Sequence, residues 1–357
     1  MKTYIKFITL IYIKSLFFVF FIMTSLVFIL NLLSELEFFK SENVGVSFTL
    51  FLSFLNSPSL IFDMFPFIML ITIQLFFIKI FENKELDIFK YSGLKNSSII
   101  KLLGILSITT GIILVILFYS LSSNLKSAYL EIKSQYTTDG KYLAVITKNG
   151  LWIKDKINNK IIITNSSLIE NNHLINNFIT IFDDNFNVIK NIKSEKIDIS
   201  STKWKILNPR IYEMNNYIDK SQINLDTNFN LNRVRTLYSN LSALNLIELY
   251  ELRKNYQKLK YSITDINLHL LKIIFYPIYL FLMALFSALI MLNIKSIKST
   301  TLKIFIGLFF SVIIYYLNNF SYVLGGTERI SLIFSVSAPL FFLASISCLM
   351  LYKVNDK

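Results

Sequence analysis

The sequence has few of the residues that build disulfide frameworks and metal centres. Its 357 residues include one cysteine, Cys348, and two histidines, His173 and His269, which lie far apart. A single cysteine excludes a disulfide framework and a multi-cysteine zinc site. None of the nine glycines belongs to a G-x-x-x-x-G-K-[ST] motif, so the chain has no P-loop for binding nucleotide phosphates. Charged residues make up only 17%, against about 25% in soluble domains.

Apolar residues dominate instead. They make up 54% of the chain, which has 33 phenylalanines and a mean hydropathy of +0.53. This composition predicts a membrane protein, and the net charge of +13 is weak evidence for nucleic-acid binding. A membrane-spanning helix needs about 20 apolar residues. Six stretches are long enough: approximately 15–34, 60–81, 99–121, 271–292, 304–324 and 330–352.

Lysines in the short loops predict the orientation of these spans. They precede the first span, surround the link between the second and third, lie between the fourth and fifth, and follow the sixth. The opposite short loops hold only Lys40 and Arg329, each close to glutamates. Basic residues on short loops mark the cytoplasmic side. We therefore expect both termini on the cytoplasmic side, with the long insert between spans three and four on the outer side.

The insert, residues 124–265, has the pattern of an all-β domain. Short β-rich runs are separated by turn dipeptides such as Asp139-Gly140 and Asn149-Gly150, which is typical of a sandwich or jelly roll. We expect Trp152 and Trp204 in its core. The predicted strands are Tyr142–Thr147, Leu151–Ile153, Lys160–Thr164, Phe178–Phe182 and Lys203–Leu207. Near residues 242–260 the apolar period becomes helical, and the predicted helix begins at Ser242 or Asn245.

The second hydrophobic region contains two prolines, Pro58 and Pro66. Because proline fits poorly inside a helix, we expect an interfacial helix at 48–57 followed by a span from about residue 60. Asp63 would then lie near the outer headgroups, where a carboxylate is less costly than at the bilayer centre. His269 is likewise expected at the interface.

The loop between spans two and three predicts a short amphipathic helix. Leu86, Ile88 and Phe89 would form an apolar strip flanked by charges, and Gly93 suits the left-handed position after a helix. Asn96 or Ser97 could then cap the third span. Such an element rests on lipid or docks in a groove of another protein.

Several of these motifs resemble the LptF/LptG permease family of lipopolysaccharide export. In that family a second helix with two prolines runs into a coupling helix. This chain resembles that arrangement, since Pro58 and Pro66 are followed by Lys84-Glu85-Leu86 and Tyr91-Ser92-Gly93-Leu94. Further matches follow in order: Gly150-Leu-Trp-Ile-Lys-Asp155, Lys203-Trp-Lys-Ile206, Phe275-Tyr-Pro277, Tyr315-Tyr-Leu-Asn318 and Pro339. Gly150-Leu-Trp and the stretch from Tyr315 look more like LptG than LptF.

The resemblance implies a half-transporter without enzymatic activity or a bound cofactor of its own, since ATP is used by a partner. The implied partners are an LptF-like second permease, an LptB-like ATPase dimer, LptC-like and LptA-like bridge proteins, and lipopolysaccharide as ligand. The implied ATPase-coupling residues are Glu85, Leu86, Ile88, Phe89, Tyr91 and Gly93. Candidate lipid-binding residues are Lys40, Asp63, Asn318 and Asn319, and candidate structural residues are Pro58, Pro66, Pro277 and Pro339.

The outer part of the first helix departs from the family's pattern. LptG members place basic residues there, which meet the phosphates of the ligand. This chain has Asn31, Glu35 and Glu37 in that region, with only Lys40 as an equivalent. That difference would fit a differently charged lipid.

The predicted fold class is a membrane α-helical protein of six transmembrane helices with a periplasmic all-β jelly-roll-like domain between helices three and four. The first part, residues 1–123, contains helices one to three, with the coupling helix at about 82–93. The periplasmic domain comprises residues 124–265 and ends in a helix. The last part, residues 266–357, contains helices four to six. Two alternatives stay open: the membrane subunit of another ABC-type lipid or lipoprotein exporter, and a non-transport membrane sensor.

Overall fold

The computed structural model describes residues 3–40, 44–134, 136, 151–157, 160–170, 172–213, 216–231, 234, 240–259, 262–293 and 299–355. The chain divides into two compact units, a membrane unit (Met1–Lys126 with Thr264–Lys357) and a β unit (Ser127–Ile263). Among the described residues, six helices are long and apolar enough to span a membrane, as predicted.

The spans are longer than their apolar stretches, because each helix continues through its polar ends. The helices are α1 (Thr3–Phe38), α2 (Val46–Glu82), α3 (Glu85–Tyr91), α4 (Asn96–Ile113), α5 (Tyr119–Ser134), α6 (Leu246–Leu259), α7 (Thr264–Asn293), α8 (Thr300–Gly326) and α9 (Leu332–Asn355). A π-helical turn, Leu114–Phe118, joins α4 to α5 within the third span.

α2 is one helix of 37 residues that contains both Pro58 and Pro66. The predicted division into an interfacial helix at 48–57 and a separate span from about residue 60 is therefore wrong. Proline is tolerated inside membrane helices where neighbouring groups satisfy the freed backbone. Pro277 in α7 and Pro339 in α9 also lie inside helices.

The backbone carbonyl that Pro66 leaves unpaired is satisfied by a neighbouring helix. Because Pro66 has no N–H, the carbonyl of Phe62 loses its donor in α2. The hydroxyl of Tyr276 in α7 donates to this oxygen at 2.5 Å. The rings of Tyr276 and Phe62 also stack, with centroids 4.4 Å apart. This contact joins α2 to α7 beside the proline.

Removing that hydroxyl is expected to destabilise the membrane unit. Tyr276→Phe keeps the stacked ring but leaves the buried Phe62 carbonyl without its donor, which costs about 1–3 kcal/mol. Thermal unfolding of the purified chain in detergent should therefore occur at a lower temperature. Tyr315→Phe, at an exposed tyrosine of α8, is the matched control and should unfold like the wild type. Equal unfolding temperatures for the two variants would contradict the role given to Tyr276.

Two glycines allow α4 and α7 to pack closely. A β-carbon at Gly111 would lie 2.7 Å from the Cα of Pro277, and one at Gly104 would lie 2.6 Å from the ring of Phe281. Small residues at helix contacts let backbones approach, which favours association inside a membrane. The packing of α4 on α7 therefore depends on both glycines.

The β unit contains an antiparallel sheet, which confirms the all-β prediction. The strands are β1 (Leu151–Ile157), β2 (Lys160–Glu170), β3 (His173–Phe182), β4 (Val188–Asp198), β5 (Lys203–Leu207), β6 (Arg210–Glu213), β7 (Asn216–Asp219) and β8 (Gln222–Asp226). They follow the order β1-β2-β3-β4-β5-β8, and β6, which forms a hairpin with β7, pairs with β4 next to β5. Side chains alternate between the two faces of each strand, and the apolar ones on one face form the core of the unit.

Four of the five predicted strands are confirmed within β1, β2, β3 and β5. The fifth, Tyr142–Thr147, lies outside the described residues, as do Asp139-Gly140 and Asn149-Gly150. Trp204 is in the core, where its indole donates to the carbonyl of Phe229 at 2.8 Å. Trp152 is exposed, so its predicted core position is wrong. It lies on the opposite face of β1 from the buried Leu151 and Ile153.

Asp155 joins the first strand to the residues that follow the last one. Its carboxylate accepts hydrogen bonds from the Thr227 hydroxyl, the Asn228 backbone N–H and the Asn228 side-chain amide, each at 2.8 Å. The side chain is buried. Since β1 and β8 are at opposite ends of the strand order, this contact shows that the sheet curls around its core.

The helix predicted after the sheet is α6, and the start at Asn245 is confirmed. The Asn245 side chain accepts from the N–H of Ile247 and of Glu248, and the Glu248 carboxylate accepts from the N–H of Asn245. This reciprocal arrangement is a capping box. It satisfies backbone donors that the first turn of a helix otherwise leaves unpaired.

Candidate functional site: the α3 helix and a charged cluster on α2, α5 and α7

α3 is a short helix held between two left-handed residues. Lys84, with φ 54°, separates it from α2, and Gly93, with φ 79°, ends it. The N–H of Leu94 bonds to the carbonyl of Phe89, and the N–H of Gly93 to that of Lys90, which is the Schellman pattern of a helix end. The role predicted for Gly93 as a helix stop is therefore confirmed.

The apolar side chains of α3 lie on two different faces. Leu86 is 2% exposed, and Phe89 packs edge-on against Phe7 of α1, with ring centroids 5.9 Å apart. By contrast, Ile88 is 59% exposed and Tyr91 is 92% exposed. One face therefore anchors α3 to its own chain, and the other presents an apolar pair to the outside.

Glu85 begins the helix and is half-buried. One of its carboxylate oxygens accepts a hydrogen bond from the Asn83 side chain at 3.3 Å, while the other is buried and has no hydrogen-bond partner among the described residues. The predicted caps for the third span are wrong. Lys95, rather than Asn96 or Ser97, precedes the first turn of α4, and it makes no side-chain capping bond.

A charged cluster lies at the other end of the membrane helices. The Lys272 ammonium of α7 contacts the Asp63 carboxylate of α2 at 3.0 Å, and the charge of Lys126 in α5 interacts with both. Asp63 is 19 residues before the end of α2, or about 29 Å at 1.5 Å per residue. A hydrocarbon core is about 30 Å thick. We define Asp63, Lys126 and Lys272 as the distal cluster, because they lie at the membrane boundary away from α3.

Aromatic residues and a histidine surround the distal cluster. The ring of Tyr322 in α8 lies 5.9 Å from the Lys272 ammonium. His269 is buried and shares a 3.0 Å hydrogen bond with the Tyr119 hydroxyl, and its position at the membrane interface stays a prediction. Sequence reasoning missed Lys126 and Lys272 because lysines near the ends of spans resemble ordinary flanking charges.

The other candidate lipid-binding residues are spread through the membrane unit. Asn318 is half-buried and lies close to Tyr279 of α7, whereas Asn319 is exposed on α8. Lys40 is exposed in the turn after α1. Asp63 follows the start of α2 by 17 residues, about 25 Å of helix, so the turn between α1 and α2 is well separated from the distal cluster.

The end of α1 that departs from the family's basic pattern packs against α2 in this chain. The Asn31 amide donates to the carbonyl of Ser53 at 3.1 Å, and the Asn56 amide donates to Asn31 at 3.0 Å. Glu35 is also buried. These polar groups join two helices and do not form an exposed basic surface.

Comparison with protein-family models decides the family. The model described as lipopolysaccharide export system permease LptF/LptG matches residues 6–353. The chain belongs to the LptF/LptG family. Comparison with curated individual proteins returned no match.

An LptF/LptG permease is a transporter component rather than a catalytic enzyme. The six apolar helices agree with a multi-pass protein of the inner membrane that works with other Lpt components. The family match covers both units, so the membrane helices and the β unit belong to one permease.

Proposed function

We propose that this LptF/LptG permease is one half of an ABC-type exporter that extracts lipopolysaccharide from the inner membrane and passes it toward the outer membrane. The observation that carries the proposal is the two-faced α3 helix. Leu86 and Phe89 attach it to its own chain, while Ile88 and Tyr91 are available to a separate ATPase. The sequence has no P-loop motif, so the work would come from that partner.

The attachment of α3 suits it to transmit movement. It is separated from α2 by only Asn83 and Lys84, and Phe89 contacts α1 through Phe7. A movement of the ATPase groove would therefore displace α3 together with the ends of two membrane helices. Packed elements transmit such displacements as rigid bodies. This role places α3 and both termini in the cytoplasm and the β unit in the periplasm.

The exposed face of α8 supports pairing with a second, LptF-like permease. Asn319, Tyr315 and Tyr316 are exposed on α8. An exposed amide inside a membrane span is costly in lipid, so this face would line a cavity or contact protein. Asn319 and Asp63 remain candidates for lipid contact, whereas the half-buried position of Asn318 beside Tyr279 favours a helix-packing role. Lys40 is a separate candidate at the turn after α1.

The β unit would continue the route toward LptC-like and LptA-like bridge proteins. Its curled sheet has an apolar inner face on which Trp204 and Phe229 pack. An apolar face enclosed by strands could shield acyl chains from water. In the structure this interior is filled by side chains, so passage of a chain would require them to move.

Affinity purification from native membranes tests the proposal. We expect the tagged wild-type chain to bring down a P-loop ATPase and a second permease of the same family. The tag should be placed on the β unit, so that α3 is left unmodified, and an unrelated tagged inner-membrane protein is the control. Recovery of a homodimer that moves lipopolysaccharide without an ATPase would contradict the proposal.

A further inference from the structure

A fully buried amide joins α2 to the beginning of α8. Gln74 of α2 is 0% exposed, and its side-chain N–H donates to the backbone carbonyl of Lys303, close to the start of α8, at 2.9 Å. Gly307, one turn further along α8, makes room for this side chain, because a β-carbon there would overlap the Gln74 amide. The amide of Gln74 therefore lies directly against the backbone of α8.

A second contact holds the same two helices together nearer to α3. The Lys303 ammonium lies 4.9 Å from the centre of the Phe81 ring of α2, a distance at which a cation is attracted to an aromatic face. Gln74 and Phe81 are seven residues apart, so they lie about two turns apart on one face of α2. Only Asn83 and Lys84 separate the end of α2 from α3. The beginning of α8 is therefore attached to the part of α2 that leads into α3.

α8 has a buried face toward its own chain and an exposed face. Four buried residues follow one another at helical spacing: Lys303, Gly307, Ser311 and Ile314. Ile314 belongs to the same apolar cluster as Leu70 of α2. The exposed side carries Tyr315, Tyr316 and Asn319, which we assign to the second permease or to a cavity. A movement of α2 that α8 follows would therefore change the position of that exposed side.

A glutamine at position 74 is not the residue that stability alone would favour. Its side-chain oxygen is buried and has no hydrogen-bond partner within the part of the chain that the structure describes. An unpaired buried acceptor costs at least as much as one hydrogen bond contributes. Methionine, which has a similar shape and no polar hydrogen-bonding pair, would avoid that cost. What the glutamine adds is a directional bond, which fixes the position of α8 along and around α2.

We propose that Gln74 is a positioning residue for export: it locks α8 to α2 at Gly307, so that when the ATPase displaces α3, α8 moves with α2 as one body. The inference rests on the proposed function and deepens it. It extends the movement of α3 to a helix that begins more than two hundred residues further along the chain. Packed elements with a fixed contact move as rigid bodies, and the bond from Gln74 to the backbone of α8 supplies that contact.

The amount of lipid extracted per ATP tests the proposal. The permease, with the ATPase and the second permease that co-purify, is placed in proteoliposomes that contain lipopolysaccharide. Gln74→Met keeps the shape of the side chain and removes the amide, whereas Gly307→Ala closes the space that the amide fills. Ser287→Ala is the matched control. It removes a buried hydroxyl of α7 that donates to the carbonyl of Leu70 at 2.8 Å, one turn from Gln74 on α2.

We expect Gln74→Met to extract about fivefold less lipopolysaccharide per ATP hydrolysed, the factor that corresponds to one hydrogen bond. Its binding of the ATPase, its rate of ATP hydrolysis and its unfolding temperature should not fall below those of the wild type. Gly307→Ala should extract at least fivefold less and also unfold at a lower temperature, because the added methyl group pushes α8 away from α2. Ser287→Ala should extract as much lipid per ATP as the wild type.

Spin labels measure the movement itself. Cys348 is replaced by serine, and labels are attached through cysteines at Lys90 of α3 and Leu302 of α8, which are both exposed. In the otherwise wild-type complex, the distance between the labels should stay the same when nucleotide is added, because α3 and α8 move together. In Gln74→Met the distance should change, because α8 no longer follows α2.

Unchanged extraction per ATP in Gln74→Met, or an equal loss in Ser287→Ala, would overturn the inference. So would a loss in Gln74→Met that is accompanied by a lower unfolding temperature, since it would show a purely structural role. A label distance that changes with nucleotide in the wild type would also overturn it. In each of these cases the wild type still extracts lipopolysaccharide, and the inference alone fails. If the wild-type complex extracts none when ATP is added, the proposed function fails with it.

Discussion

Replacing Ile88 and Tyr91 together with alanine is expected to remove the ATPase from the purified permease while leaving the chain inserted in the membrane. Both side chains are exposed on α3, and burial of such side chains in a partner's groove stabilises a complex by about 1.5–3 kcal/mol each. Their joint loss should therefore lower the affinity for the ATPase by roughly a hundredfold or more. Titration of the purified ATPase against permease in nanodiscs measures this effect.

The opposite face of the same helix supplies the control. Leu86→Ala and Phe89→Ala should also weaken ATPase binding, but because α3 is no longer held against its own chain. Hydrogen exchange in α3 should therefore rise in these variants and stay at the wild-type level in the Ile88 and Tyr91 variant. Glu85→Ala tests another of the predicted coupling residues and should weaken co-purification. Unchanged ATPase binding after loss of Ile88 and Tyr91 would refute a docking role for this face.

The largest loss of stability in the β unit is expected from Asp155→Ala. The substitution removes a buried carboxylate that accepts three hydrogen bonds from Thr227 and Asn228. Hydrogen bonds to charged groups contribute about 1.5–3 kcal/mol each. Because they act as a group and are not additive, we expect a total of about 3–5 kcal/mol. Hydrogen exchange of the full chain should show faster exchange in β1 and in residues 222–228.

Asp219→Ala is the matched control, since it removes the same charge from an exposed site. Two hydrogen bonds from Arg210, at 2.8 and 3.1 Å, hold the pKa of Asp219 below its usual range. The Arg210–Asp219 pair stabilises the fold at a pH above the usual aspartate pKa. This stabilisation is lost as the pH falls through the lowered pKa of Asp219. Water screens an exposed pair, so exchange in β1 should be unchanged. Equal effects of the two variants would show that Asp155 does not close the sheet.

The sequence was most informative where a local rule determines the structure. The number of spans could be predicted because a hydrocarbon core requires about 20 apolar residues per helix. The end of α3 could be predicted because Gly93 adopts a left-handed conformation that other residues avoid. The start of α6 at Asn245 follows in the same way from a capping side chain close in sequence.

The sequence was least informative where a distant residue decides the outcome. α2 continues through Pro66 with the help of the Tyr276 hydroxyl, more than two hundred residues further along the chain. No local pattern contains that contact. Trp152 and Trp204 were both predicted in the core, but strand parity and pairing place them on different faces. Likewise, the sequence indicates Asp63 as a lipid-binding candidate but not its ion-pair partner Lys272, because sequence alone does not show which helices are neighbours.

The backbone at Lys84 has a consequence for how this permease can evolve. The direction in which α3 leaves α2 is set by the two residues Asn83 and Lys84, of which Lys84 is left-handed. An α-helix turns by about 100° per residue. Inserting or deleting one residue at this joint would therefore rotate α3 and carry Ile88 and Tyr91 away from the side they now occupy. We expect natural variants to keep the length of this joint constant and to avoid β-branched residues at position 84, where the backbone is left-handed.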